Sequence, residues 1–487
     1  MGSPGAAVVG LGRSGQAAAQ LLTDSGYQVV GFDQKVGTAN SDFSFPTVVE
    51  PSADDLGRAI VALSPDVVVV SPGIPETSPL LTAPRAAGIE VIGEVQLAWN
   101  LSQAGERDEG MPTTSWLCVT GTNGKTTTVG MLASILKEAG LRAGAVGNVG
   151  YPITAAMSEP FEAMAVELSS FQLATSRHLH PTAAICLNVA TDHLDWHGGR
   201  EAYARAKSHV YDGVSVARFF FQDERETEAM ARQAKGASSS ALVPLTFGDV
   251  PSGAIGIEGQ VVLDRSGLVG QTPDVLADFA NIPLLAATTA SDNTQSDSAD
   301  PMVRDALAAV ALARAEGVAP EAIQRGLERF RPDAHRREKI ATQGDVTWVD
   351  DSKATNVHAA IAAAKALTPG TVVWILGGDA KGQDLRPLAR AAGRYARAVA
   401  VIGADAEGLV GLLSEEASET PVRVIRGTDA IEAWMMTLVR ACAEMASPGD
   451  TVLLAPGCAS WDQFDSYAQR GDAFKHAVME LSAGGGE

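Results

Sequence analysis

The sequence predicts an α/β fold of three domains, each built on a mainly parallel sheet. Three observations carry this. The chain has 487 residues, more than one hydrophobic core organises, and a length for which about three domains is the natural expectation. Apolar, β-branched runs alternate with Ala-rich helical patterns for most of that length, the mark of parallel βα layers. Two glycine-rich loops, "VVGLGRSG" near the start and "VTGTNGKTT" at 119–127, each lie between such a run and a helical pattern.

The elements follow in order. In the first hundred residues "AAVVG", "YQVVGFD", "DVVVVSPG" and "IEVIGEV" read as strands, each followed by a helix or loop. The polar stretch 102–115 reads as a linker. A second α/β region opens at "WLCVTG" and continues through "FEAMAVELSS" and "TAAICLNVATD"; residues 218–285 are less regular, with room for short strands. Residues 287–301 are small, polar and turn-prone, which predicts an exposed loop, and a helical pattern covers 302–330. The third region starts near "VTWVDDS" and alternates again through "TVVWILGG", "AVAVIGA", "VRVIRG" and "TVLLAPG". The expected domains are 1–108, 109–332 and 333–487.

A content of 46% hydrophobic and 20% charged residues is that of an ordinary globular protein. The net charge of −21 argues against a nucleic-acid or anionic-membrane surface, so anionic ligands need placed Lys, Arg and N–H groups. Cys118, Cys186, Cys442 and Cys458 are scattered without a C-x-x-C pair, as expected of reduced cytosolic thiols. No apolar run is long enough to span a bilayer. The first residues lead into a strand without a basic segment or extended apolar stretch, so no signal peptide is expected.

Gly10-Leu11-Gly12-Arg13-Ser14-Gly15 matches G-x-G-x-x-G, with Asp33 ending the next strand. A tight turn, close backbone approach to phosphate and a helix N-terminus explain the glycines. The motif alone fits a dinucleotide, another nucleotide or an empty turn equally. The second loop has the setting of a phosphate cradle: Lys125 suits the terminal phosphates and the Thr126 hydroxyl suits magnesium. Val119 stands where that motif usually begins with glycine, and Gly121 takes over the turn. Glu167 and His193 follow later strands, where ligands gather in doubly wound sheets. Either alone fits a surface pair or loop cap; with the phosphate loop they become metal candidates, while Asp192 and Asp195 have no assigned role. The loops "VDDSKATN", "GGDAKGQD" and "APGCASWDQF" place Asp351, Lys353, Thr355 and Lys381 where a nucleotide, an anionic substrate or one another would suit them.

Taken together, "GLGRSG", "SPGI", "TGTNGKTT", "GNVG", "ELSSFQL", "NVATDHLD", "YARAK", "AHRRE", "DDSKATN", "GGDAKG" and "APGCASWDQF" resemble, in order and over nearly the whole chain, the Mur ligase family of peptidoglycan synthesis. "DDSKATN" and "ASWDQF" look particular to the member that adds D-glutamate. The resemblance implies an N-terminal Rossmann-like UDP-binding domain, a central P-loop ATPase domain and a C-terminal Rossmann-like domain that binds the amino acid. It implies cytoplasmic, ATP- and magnesium-dependent amide formation between UDP-N-acetylmuramoyl-L-alanine and D-glutamate through an acyl phosphate, by a monomer with no nucleic-acid or membrane partner. On this reading the first loop holds UDP and the second holds ATP.

Residue by residue, the resemblance places Gly12, Ser14, Asp33, Ser71, Pro72 and Gly73 near the uridine and diphosphate, and Asn148 and Ser169 on the muramoyl group. Gly121, Thr122, Asn123, Gly124, Lys125, Thr126, Thr127, Arg336 and Asp351 match ATP contacts. Thr126 and Glu167 match ligands of one magnesium and His193 of a second; Lys207 matches a lysine carbamylated in the family, although alone it reads as a helix-surface lysine. Lys353, Thr355, Lys381, Ser460 and Tyr467 match D-glutamate contacts, and their separate domain implies that closure assembles the site. The chain departs from the family at Pro301, Met302 and Asp305, where a His-Asn pair and a further Asn usually lie near adenine. It departs again at Trp461, usually smaller and apolar, and at Ala334, often proline. The rivals are an NAD-dependent dehydrogenase, which leaves the phosphate loop idle; another Mur-type or folylpolyglutamate-type ligase; and a nucleotide-sensing scaffold that binds without turnover.

Overall fold

The computed structural model describes residues 3–34, 43–104, 114–148, 151–270, 274–289, 300–332, 334–428 and 430–484. The chain separates into two compact units, Met1–Phe330 and Arg331–Glu487.

The first unit holds two sheets. The N-terminal sheet comprises β1 (Gly5–Val9), β2 (Gln28–Asp33), β3 (Thr47–Val49), β4 (Val67–Val70) and β5 (Glu90–Gly93), in the order β3-β2-β1-β4-β5 and parallel throughout. Its inner strands carry apolar side chains on both faces. Ala6 and Val8 join one buried cluster and Ala7 and Val9 the other, the alternation of a strand packed on two sides. Burying each valine of β4 contributes roughly 1.5–3 kcal/mol. Register decides what emerges at the carboxyl ends: Val9 pairs with Phe32 and with Val70, so Gly10, Asp33 and Ser71 leave the sheet side by side.

The central sheet has nine strands: β6 (Ser115–Thr120), β7 (Ala143–Gly147), β8 (Ala163–Glu167), β9 (Ala183–Cys186), β10 (Ala217–Phe221), β11 (Ala241–Phe247), β12 (Ile255–Glu258), β13 (Val261–Asp264) and β14 (Asp274–Asp278). Their order is β14-β13-β12-β11-β10-β9-β6-β8-β7, parallel except for the antiparallel β12–β13–β14 meander. The less regular stretch 218–285 therefore holds five strands, and the meander is what blurs its βα rhythm. In β6, Leu117 and Val119 face one core and Trp116 and Cys118 the other.

Several boundaries differ from the sequence reading. "IEVIGEV" is strand only to Gly93; Glu94 opens the helix Glu94–Ala104, and the central sheet takes in Ser115. Most of the expected linker, like most of the loop at 287–301, lies outside the described residues. The single helical pattern at 302–330 is two helices, Pro301–Ala315 and Pro320–Arg329. Gly317, at φ 83°, turns the chain out of the first, and Pro320 opens the second.

The second unit carries β15 (Glu338–Gln343), β16 (Val346–Asp350), β17 (Val372–Gly377), β18 (Ala396–Ile402), β19 (Val422–Val424) and β20 (Thr451–Leu454), ordered β15-β16-β20-β17-β18-β19, with only β15 antiparallel. It begins one strand earlier than "VTWVDDS" suggests, because β15 alternates weakly and is only partly buried. No helix among the described residues is long and apolar enough to cross a membrane.

Candidate active site

At the N-terminal sheet the strand order reverses between β1 and β4, and the first glycine loop lies at that switch point. Gly10 has φ 84°, and a Cβ at Gly15 would run into the Gly10 carbonyl, so these two glycines build the turn. Gly12 differs: nothing lies within 4 Å of where its Cβ would be, leaving the helix start at Arg13 open to a ligand. Asp33 accepts a 2.7 Å hydrogen bond from the Leu11 amide, and the Ser71 hydroxyl donates to the Gly10 carbonyl at 2.7 Å. The loop, Asp33 and the Ser71-Pro72-Gly73 segment thus form one mouth. Ser14 lies on the first turn of the helix Arg13–Asp24.

The second loop leaves β6 through Gly121 (φ 153°) and enters the helix Lys125–Glu138 through Gly124 (φ 88°), with no side chain capping that helix. An uncapped N-terminus behind left-handed glycines is an anion cradle. Thr126 and Thr127 occupy the first turn. Lys125 folds back on its own loop, its Nζ 2.8 Å from the Gly121 carbonyl and 2.9 Å from that of Thr122. Asn188, just beyond β9, holds the loop from outside: its Oδ1 accepts from the Thr122 and Asn123 amides, both at 3.0 Å, and its Nδ2 donates to the Asn123 carbonyl. The Thr122 hydroxyl lies 2.9 Å from the Tyr203 hydroxyl.

Lys207 corrects its surface reading. On the helix Arg200–Ser208 it is buried, donates to the Gly121 carbonyl at 2.8 Å and sits 4.7 Å from the Tyr203 ring centroid. Burial, followed by the charge of Lys125, lowers its pKa to about 7; Cys186, Asp192 and Glu167 oppose the shift. Two lysines therefore meet at one carbonyl. Glu167, at the end of β8, is buried, and among the described residues only the Asn148 amide donates to its carboxylate, at 3.0 Å. A buried carboxylate with so little compensation suits a cation. It does not pair with a surface lysine.

His193, at φ 51°, stands on the loop after β9, its Nε2 3.6 Å from Asp192 Oδ2 and its ring 4.8 Å from that of Phe171. Asp192 thus gains a partner; the side chain of Asp195 lies outside the described residues. Ser169 caps the helix Ser170–Ala174 in a capping box with Gln172. Gln172 also reaches Glu94, whose carboxyl burial raises to about 7 against the opposing amide. The sequence reading passed over Glu94, Gln172, Asn188 and Tyr203. Asn188 opens "NVATDHLD", Gln172 lies inside "ELSSFQL" and Tyr203 opens "YARAK"; nothing local marks Glu94.

In the second unit, β16 and β20 are aligned at Asp350 and Leu454, so "DSKATN" and "APGCASWDQF" emerge together. Asp351 accepts from the Arg337 amide at 3.2 Å, and its carboxyl is raised to about 6 by burial, which the charges of Arg337 and Arg336 oppose. Arg336 lies between His335 and Arg337, both at positive φ. Buried His335 bonds buried Asp350 at 2.6 Å, and the buried guanidinium of Arg470 holds the Ser352 hydroxyl and carbonyl at 2.9 Å each. Lys353 Nζ is 5.6 Å from the Tyr467 ring centroid, and Thr355 follows in a tight turn onto the Lys353 carbonyl. Lys381, at φ 50°, lies 4.8 Å from the Trp461 ring centroid, next to buried Ser460. Trp461 is 71% exposed, so its larger ring meets Lys381 at the surface. Asp305 is buried against Gly124, and Pro301 and Met302 open the helix that carries it.

A glycine loop with its lysine at the carboxyl edge of the central sheet, beside a buried carboxylate, defines a P-loop nucleotide-binding protein of several α/β domains. Family models match in register with the three sheets: the Mur ligase MurD-like N-terminal domain over residues 5–93, the Mur ligase middle domain over 119–249, and the Mur ligase glutamate ligase domain over 335–458. The chain belongs to the Mur ligase family, whose members are ATP-dependent. It is 40% identical over 486 residues to the UDP-N-acetylmuramoylalanine–D-glutamate ligase of Streptomyces coelicolor, with 98% of each chain covered. It is 42% identical to the ligase of the same name from Thermobifida fusca, again with 98% of each covered. Solved structures sharing the fold include a pseudomurein peptide ligase type C from Methanothermus fervidus (TM-score 0.55, 15% identity, 98% of this chain and 100% of that one). Another is the UDP-N-acetylmuramate-alanine ligase of Thermotoga maritima (TM-score 0.53, 15% identity, 99% and 100%).

Proposed function

We propose that the chain joins D-glutamate to UDP-N-acetylmuramoyl-L-alanine with ATP, releasing ADP and phosphate, as a cytoplasmic monomer in peptidoglycan precursor synthesis. The observation that carries this is the full-length likeness to ligases of that name, 40–42% identical over 98% of the chain. The domains are 1–108 for the UDP end, 109–332 for ATP and 333–487 for the amino acid.

UDP lies at the first glycine loop, against Gly12, Ser14, Asp33 and Ser71-Pro72-Gly73; the open space at Gly12 supports close approach of a diphosphate. ATP lies at residues 121–127 with Arg336 and Asp351, and D-glutamate at Lys353, Thr355, Lys381, Ser460 and Tyr467, whose ammonium and hydroxyl groups suit two carboxylates. Asn148 and Ser169 hold the muramoyl group.

A substrate carboxylate oxygen attacks the γ-phosphorus, forming a C–O–P linkage as the bond to the β-phosphate oxygen breaks and ADP leaves. The D-glutamate nitrogen then attacks the acyl carbon, loses a proton, and the C–O bond breaks to release phosphate. Lys125 leaves its backbone acceptors for the phosphates and neutralises two mutually repelling anions. Glu167, thinly compensated in its buried position, would hold one magnesium with Thr126, His193 would hold a second, and Lys207, if carbamylated, would add an anionic oxygen ligand. Magnesium, when bound, supplies charge neutralisation and alignment of the phosphates. The lowered Lys207 pKa favours the neutral amine that carbon dioxide requires.

Hydroxylamine tests the mechanism. With ATP, magnesium and UDP-N-acetylmuramoyl-L-alanine but no amino acid, the acyl phosphate is expected to be trapped as a hydroxamate in step with ADP release. ADP release without hydroxamate would contradict it.

A further inference from the structure

Where the N-terminal sheet hands over to the helix Glu94–Ala104, that helix docks on the segment after β8. The Gly93 amide donates to the Thr175 carbonyl at 3.1 Å, and Gln96 Oε1 accepts from the Arg177 and His178 amides, both at 2.9 Å. These bonds, one between backbones and two to the Gln96 side chain, tie the helix to that segment. Glu94 does something else. It is 4% exposed and accepts from Gln172 Nε2 at 2.9 Å. Gln172, 3% exposed, turns its Oε1 to Ser169, accepting from the Ser169 amide at 2.9 Å and from the Ser169 hydroxyl at 3.0 Å.

The amide of Gln172 has only one workable orientation. Flipped, its oxygen would face a carboxylate oxygen, and its NH2 would face the Ser169 N–H; both contacts would be repulsive. Ionised Glu94 accepts only, and so forbids the flip from its side; when it is protonated its carbonyl oxygen still takes the NH2, and the Ser169 N–H forbids the flip from the other side. The consequence falls on the Ser169 hydroxyl. Its proton is committed to Gln172 Oε1, and one lone pair takes the Gln172 amide at 3.2 Å. What remains is one lone pair: an acceptor and no donor.

We infer that Glu94 is a positioning residue which, through Gln172, fixes Ser169 as a hydrogen-bond acceptor. The substrate group that meets Ser169 is therefore an amide N–H or hydroxyl of the UDP-linked sugar peptide, rather than its carboxylate or phosphates. This rests on the proposed placement of that substrate against Ser169.

The test is a double-mutant cycle on the full chain, with Glu94→Leu, Ser169→Ala and the pair. Glu94→Leu keeps comparable bulk but removes the acceptor that faces Gln172 Nε2, so that end of the amide is no longer held. The Michaelis constant for UDP-N-acetylmuramoyl-L-alanine is expected to rise about tenfold in each single variant, the worth of one buried hydrogen bond. The constant for ATP should stay within about twofold. The pair should match Ser169→Ala alone, because Glu94 acts only through Ser169. Effects that multiply, or a lowered Tm with unchanged Michaelis constants, would reduce Glu94 to a structural role and overturn the inference. Should Glu94→Leu not fold, Gln172→Met takes its place in the same cycle. Wild-type protein that binds the substrate without turnover loses the proposed activity, and the cycle is then read on Kd. Wild-type protein that does not bind it overturns both.

Discussion

At Lys207 an amine is enclosed beside a second lysine, against the carbonyl that both of them use. An ammonium there is disfavoured first by burial and then by Lys125, which lowers its pKa to about 7. The sign is direct: as pH rises through about 7 the neutral amine becomes the major form, and only that form adds carbon dioxide. Protein equilibrated with 13C-bicarbonate should therefore show a carbamate carbon resonance that grows from pH 6 to 8 and is absent in Lys207→Met. A wild-type spectrum without the resonance at pH 8 would remove the carbamate from the account. Nothing local in "YARAK" reveals this environment. Helical periodicity alone reads Lys207 as a surface residue, and the carbonyl it meets belongs to Gly121, 86 positions away.

The element that matters most is the loop from Gly121 to Lys125, and much of it was legible. Glycines at the two left-handed positions, a lysine and a following threonine sit in the order that the strand-to-helix turn requires. The residue that supports it was in view, since Asn188 opens "NVATDHLD", but its role was not, because it grips Thr122 and Asn123 from beyond β9, about 65 positions later in sequence. Asn188→Ala leaves two loop amides without that acceptor. The Michaelis constant for ATP should rise about tenfold, while that for the UDP-linked substrate stays within about twofold; an equal rise in both would show general loosening instead. The same contrast holds for strands. Central ones such as β4 and β6 stand out because apolar cover on both faces makes them continuous runs. Edges such as β15 do not, since partial exposure dilutes the pattern. The 302–330 helix misled for another reason: its apolar periodicity runs through Gly317 and Pro320, residues that the backbone obeys.

Across the whole molecule, three sheets each present loops at the carboxyl ends of their strands, and two of those loops carry the nucleotide signatures. On the proposed reading the first loop anchors the UDP handle, and the second carries the triphosphate that drives the reaction. A protein of net charge −21 that handles several anions must place its cations deliberately. On the proposed reading Lys125 in the first unit, and Lys353 and Lys381 in the second, are where it does so. The most direct measurement is phosphate release from ATP and magnesium with UDP-N-acetylmuramoyl-L-alanine, comparing D-glutamate, L-glutamate, L-lysine and no amino acid. Sustained release with D-glutamate alone is the predicted result. Equal or faster release with L-lysine or L-glutamate, or none with any of the four, would contradict it.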